Sequence, residues 1–265
     1  MFALNRLWWL GALAIGSALA VLLVLVAFSP AAQANHSWGK YHWARKSNPF
    51  TLQLGDNVSS SWDSYLGTTS SDWGKSTVLD TTIIGGRTSP ATCSPTSGRV
   101  EVCNAAYGQN GWLGLAQIWI SSRQHITAAT TKVNDTYFST PKYNTTAWRN
   151  LVMCQEVGHT FGLDHQDENF NNTNLGTCMD YTNDPSTNQH PNQHDYDELV
   201  AIYSHLDKTT TIGASSTLPA AASRASLNSR AGWGRLVQES RNEQLALYKR
   251  DLGGGKKVFT FVIWA

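Results

Sequence analysis

Gln155-Glu156-Val157-Gly158-His159-Thr160-Phe161-Gly162-Leu163-Asp164-His165 is the stretch on which the reading of this chain turns. Asn144-Thr145-Thr146 stands upstream of it, and such residues start helices because their side chains accept hydrogen bonds from the unpaired amides of a first turn. A helix begun there carries Leu151, Cys154, Val157, Gly158 and Phe161 on one apolar stripe, with Gln155, Glu156 and His159 turned away from it. Gly162 is placed to end the helix, since the residue past a helix C-terminus favours φ > 0. Residues four apart share a helix face, so Gln155 and His159 project together, and a turn at Gly162 lets His165 come back beside them. Three converging side chains can hold a metal and leave a fourth position for water, as catalytic zinc requires. Glu156 sits beside this cluster rather than within it, the place for a general base that takes a proton from water.

Working outward, the chain alternates between elements. Phe50-Thr51-Leu52-Gln53-Leu54 alternates as a strand should, and Trp62 to Trp73 is loosely helical. Val78 to Ile84 is β-branched and Thr-rich, Arg99 to Cys103 alternates again, and Leu113 to Ile120 and Ile126 to Val133 read as two further strands. Beyond His165 the sequence is polar and irregular up to Asn188; Tyr196 to Leu206 then reads as a last helix through Leu199, Ile202, Tyr203 and Leu206. Residues 209–231 have the Ala/Ser/Thr-rich composition of a linker. Trp233 to Ala265 holds two strand-like runs around Leu252-Gly253-Gly254-Gly255-Lys256, a hairpin pattern.

The central stretch resembles the metzincin metalloproteases, whose helix motif is H-E-x-x-H-x-x-G-x-x-H followed by a Met turn. Glu156, His159, Gly162 and His165 match four of the five fixed positions, and Cys178-Met179-Asp180-Tyr181 looks like the Met turn. The resemblance covers roughly Pro49 to Leu206. It implies an α+β catalytic domain: a mixed, twisted five-stranded sheet with an antiparallel edge strand, packed on the active-site helix, then a smaller irregular subdomain with Met turn and closing helix. It further implies zinc held by His159 and His165, with Glu156 catalytic, Met179 as an apolar floor beneath the metal, and Tyr181 contacting the metal or the oxyanion. Gly114-Leu115-Ala116 resembles the family's edge strand, which pairs with an extended peptide substrate.

One position departs from the family: Gln155 stands where the first ligand is His. A Gln carbonyl oxygen is a neutral and weaker zinc ligand than an imidazole nitrogen. Three readings follow. Gln155 ligates through its side-chain oxygen; or Asp164, Tyr181, His190 or His194 completes the shell; or metal and activity have been lost. The functional expectation is a zinc metalloendopeptidase acting on a peptide or protein strand. The alternative is an inactive binding protein for peptide or cell-wall glycan, which the Trp residues at 38, 43, 62 and 73 suggest because indole faces stack on sugars. Asp167, Glu168 and the Asn-rich loop to Asn174 offer oxygen ligands for calcium.

Composition agrees with export. Net charge is +1 and no Lys/Arg cluster occurs, which argues against nucleic acid as a partner. Arg6, the apolar run from Leu7 to about Phe28, and Ala32-Gln33-Ala34 read as a signal peptide over 1–34, with an uncleaved membrane anchor as the alternative. The four cysteines suggest disulfides in an oxidising compartment, Cys93–Cys103 as a local clip and Cys154–Cys178. The organisation expected is thus a leader (1–34), a short segment (35–48), the catalytic domain (49–208), the linker (209–231) and the hairpin segment (232–265), in a secreted monomer. The 35–48 segment is short and lacks cysteine, so no latency device is read ahead of the domain.

Overall fold

The alternation seen at Phe50, Leu52 and Leu54 becomes strand β2 (Phe50–Asn57), with those three side chains buried and Thr51 exposed. A computed structural model describes residues 36–214, 227, 229–240 and 244–265; the proposed leader and most of the linker lie outside the described residues. Around β2 gather β3 (Leu79–Gly85) and β4 (Val100–Ala105), then β6 (His125–Asn134), all parallel, with β5 (Trp112–Ile120) antiparallel to β6. The short β1 (His42–Trp43) pairs with the start of β6. Helices α1 (Asp63–Trp73), α2 (Asp135–Phe138) and α3 (Thr146–His159) follow β2, β6 and α2 in turn, and α4 (Gln193–Ile202) comes later. The protein is therefore mixed α+β with a large sheet and few helices. No described helix is long and apolar enough to cross a membrane.

The sheet is larger than the five strands expected. Among the described residues it has nine, in the order β3-β2-β4-β6-β5-β9-β8-β7, with β1 off this path. The extra strands are β7 (Arg235–Glu239), β8 (Leu245–Gly253) and β9 (Lys256–Trp264), preceded by the short helix α5 (Arg230–Trp233). The hairpin expected from the glycine run is present, with positive φ at Gly253, Gly254 and Gly255. Its partner differs from expectation. Strand β9 pairs with β5 along almost its whole length, so Gly114-Leu115-Ala116 is no edge: it faces Ile263, Val262 and Phe261. All nine β5 residues are buried as a result.

The ends of two helices also differ from expectation. Thr145 caps α3 by accepting from the Trp148 amide at 3.2 Å, as its sequence suggested. The helix then stops at His159 rather than running through Phe161. Gly162, at φ +101°, turns the chain, and its amide donates to the His159 carbonyl at 3.1 Å. A side chain there would also meet the Tyr41 carbonyl. Helix α4 begins three residues before Tyr196 because Asn192 and Asp195 form a reciprocal capping box, and it ends at Ile202.

Both expected disulfides are present, Cys93–Cys103 and Cys154–Cys178. The indoles of Trp43, Trp62 and Trp73 are fully buried, and each donates its N–H to an internal acceptor: the Thr160 carbonyl, Asp135 Oδ1 and the Cys154 carbonyl. These rings pack the core and present no face for a sugar to stack on.

A lysine is buried inside the sheet. Lys132 on β6 donates from Nζ to Gln117 Oε1 at 3.1 Å, and burial lowers its pKa from 10.5 to about 7. Between those values the unfolded chain binds a proton that the fold has shed. Stability therefore falls as pH drops from 10.5 towards 7, by about 1.4 kcal/mol for each pH unit crossed. Lys132→Met should flatten that slope; urea midpoints for wild type and variant at pH 7 and pH 9 measure it.

Candidate active site

Helix α3 carries the site, and its seat on the sheet is set by two glycines. At Gly114 on β5, a Cβ would lie 2.7 Å from both Glu156 Oε1 and Val152 Cγ1. The strand thus lets the Glu156 carboxylate approach its backbone. At Gly158, on α3 itself, a Cβ would lie 2.7 Å from Met179 Sδ and from Trp73 Cζ2. Met179 is fully buried against this bare patch of the helix, and Cys154–Cys178 ties α3 to the same turn. The turn is further fixed by the Gln166 amide, which donates to the Met179 carbonyl at 2.7 Å, and by the Met179 amide, which donates to Thr177 Oγ1 at 3.0 Å.

Three of the residues named from sequence come together. The rings of His159 and His165 meet edge to face with centroids 4.3 Å apart, and the His165 and Tyr181 rings lie 4.0 Å apart. His159 Nδ1 lies 2.9 Å from the Leu163 carbonyl. A carbonyl only accepts, so Nδ1 carries the proton and Nε2 keeps its lone pair for a ligand. The Tyr181 hydroxyl lies 2.6 Å from His165 Nδ1 and 2.5 Å from His165 Nε2, and Asp164 Oδ1 is 3.2 Å from Nδ1. Asp164, His165 and Glu168 also form a group whose possible ligand atoms all lie within 4.8 Å of one another.

Gln155 precedes His159 by one helical turn and is sealed from solvent, and neither its Oε1 nor its Nε2 has a hydrogen-bond partner. Buried amides in native proteins are almost always paired, so two orphaned atoms on one side chain call for an explanation. Glu156 is equally buried and its Oε2 is also unpartnered. Burial pushes the Glu156 carboxyl well above the usual carboxylate range and the Tyr181 hydroxyl well above its ordinary value. Burial, and then the neighbouring His165, holds His159 well below a free histidine, in its neutral form.

Other candidates fall elsewhere. His190 is half-exposed and binds Asp72 Oδ2 at 2.6 Å; His194 stacks on His36 with centroids 4.9 Å apart. In the Asn-rich loop Asp167 spends its oxygens locally, accepting from the Asn169 amide and from Asn172 Nδ2, whereas Glu168, grouped with His165, accepts from the distant Gln238 Nε2. Phe261 escapes sequence reasoning altogether, and Trp38 enters it only as a sugar-stacking candidate; both line the pocket beside His165 and Tyr181. The alternation Phe259, Phe261, Ile263 signals a strand, yet nothing local tells which strand it joins.

No protein-family model matches the chain, and no curated protein is significantly similar to it. What the site can do follows from its own residues.

The glycine at 158 gives a direct check on the packing. In an exposed helix Gly→Ala stabilises by up to about 1 kcal/mol. Here the added methyl collides with Met179 and Trp73, so Gly158→Ala should instead destabilise by about 1–3 kcal/mol, read from urea midpoints.

Proposed function

We propose that this chain is an exported, metal-dependent endopeptidase of metzincin-like architecture, with Gln155, His159 and His165 as metal ligands and Glu156 as general base. The observation that carries the reading is the Gln155 side chain, buried with both amide atoms unpartnered one turn before a neutral, correctly tautomerised histidine. An unpaired buried polar group costs about 1–3 kcal/mol, and a cation accepting the Oε1 lone pair removes part of that penalty. The donor set fits zinc: two imidazoles are ligands that zinc favours, and the amide oxygen is a weaker third. Export is supported by two formed disulfides, which persist in oxidising compartments.

Zinc, when bound, supplies the Lewis acidity that polarises a scissile carbonyl and acidifies water. The protein's own groups do the rest. The desolvated Glu156 carboxylate has raised basicity, so it takes a proton from the attacking water and afterwards gives it to the leaving amine. The Tyr181 hydroxyl stays protonated at any working pH and donates a hydrogen bond to the developing oxyanion. Met179 and the Cys154–Cys178 link keep the helix and the Tyr181 turn in fixed relation, so that neither donor has to be reorganised during the reaction.

Two measurements test this. Hydrolysis of a quenched fluorescent peptide should fall roughly 10²–10⁴-fold in Glu156→Ala; equal turnover in variant and wild type removes Glu156 from the mechanism. Zinc content should drop in Gln155→Ala and tighten in Gln155→His, whereas zinc unchanged by either substitution means the glutamine is no ligand.

A further inference from the structure

If the site is read as a peptidase cleft, that cleft already has an occupant supplied by the chain itself. Strand β9 runs antiparallel along β5 from Trp112↔Trp264 to Ile120↔Lys257, in one register from Gly114↔Ile263 onward after a shift between Trp112 and Gly114. This is how an extended peptide adds to a sheet edge. Phe261 falls opposite Ala116, and its ring stacks flat on the His159 imidazole with centroids 4.3 Å apart and planes 8° apart. It also meets Trp38 edge-on at 5.2 Å. Leu245 and Leu247 of β8 line the same pocket. From its far side the hairpin grips the loop bearing His165, because Gln238 donates to Glu168 and Gln244 Nε2 reaches Asn183 Oδ1 at 3.3 Å.

We propose that the C-terminal hairpin is an intramolecular substrate mimic that keeps the site latent, and that the open site takes extended peptides with a large apolar side chain where Phe261 now lies. The substrate half of this rests on the peptidase reading; the occupancy half does not. Thr211, Gly213 and Leu227 are bound to the body, and residues 215–226 between them have linker composition; a strand joined through a segment of that composition competes at an effective concentration in roughly the mM range. A free peptide of micromolar affinity cannot displace such a neighbour, whereas severing the tether lets the strand dilute away.

The test uses full-length protein carrying Glu156→Gln, so that binding is read without turnover. A labelled peptide with the sequence of Lys256–Trp264 is titrated onto three forms: the unaltered hairpin, Phe261→Ala, and a chain with a specific protease site inserted within 215–226 and cut. The uncut chain should exclude the peptide, while the cut chain and Phe261→Ala should bind it on the order of tenfold more tightly or better. Equal exclusion by all three means that β9 is a permanent strand and overturns the proposal; the cut form keeps every residue, so this holds even if Phe261→Ala fails to fold. Peptide binding in the cut chain without peptidase activity in its Glu156 counterpart leaves the occupancy standing and removes the peptidase reading.

A second inference stands on different residues. His42 Nε2 and His205 Nε2 lie 3.1 Å apart, and Asp207 Oδ1 is 3.5 Å from the first and 4.0 Å from the second. Ligand atoms around tetrahedral zinc at 2.0–2.1 Å are separated by about 3.3 Å. His42 Nδ1 faces the Lys40 carbonyl at 2.8 Å, which turns the Nε2 lone pair toward the cluster. Arg45 engages Asp207 Oδ2 at 3.1 Å, an oxygen that His42 Nε2 also approaches at 3.4 Å, while His125 Nε2 lies 3.2 Å from Oδ1. The geometry assigns a structural zinc site to His42, His205 and Asp207, pinning the N-terminal strand to the end of α4, with His125 orienting the carboxylate.

His205 is half-exposed, so its replacement should leave the fold intact. His205→Ala should lower bound zinc by one ion per chain, and His205→Cys, which restores a ligand, should regain it. Equal zinc in wild type and His205→Ala, or none in wild type, shows a hydrogen-bonded cluster and no metal site.

Discussion

Helix α3 can lie on β5 only because position 114 has no side chain. The Glu156 carboxylate and Val152 occupy the space that a Cβ would need. From that seat the rest of the site follows. Glu156 is held dry against the strand, Gln155 and His159 are sealed on the same helix, and Gly158 accepts Met179 and Trp73 on its other flank. The disulfide from Cys154 to Cys178 then fixes the distance to the turn that carries Tyr181. A helix shifted outward by one methyl would hydrate Glu156 and loosen each of these contacts.

What the burial does is to set protonation states chiefly by desolvation. Glu156 is raised by desolvation alone, and His159 is kept neutral mainly by the same cause. A carboxyl raised by burial on the same helix as an uncharged imidazole is the kind of perturbed pair that marks a candidate functional site. Gln155 fits the same surroundings, since a neutral amide loses less on burial than a charged side chain would.

Much of this was legible in the sequence because it is local. The α3 cap at Thr145, the turn at Gly162, the alternation in β2 and the cysteine pairing all depend on residues close in the chain or on simple spacing. The helix ends were less legible: the capping box at Asn192 lies in a polar run where many residues would cap equally well. The pairing of β9 with β5 was invisible, because strand periodicity says which face is apolar but not which neighbour it will find. The cluster of His42, His125, His205 and Asp207 was hidden for the same reason, being assembled from three segments far apart in the chain.

The nine buried residues of β5 carry one more consequence. Exposed sheet edges recruit other chains, and natural proteins blunt them with charge or short strands. With the hairpin in place the outermost strand on that side is β7, five exposed residues including Arg235 and Glu239. Remove the hairpin and the new margin is Trp112–Ile120, a long apolar strand with unpaired amides. The hairpin thus covers an edge prone to pairing, and a molecule without it would self-associate unless another strand took its place.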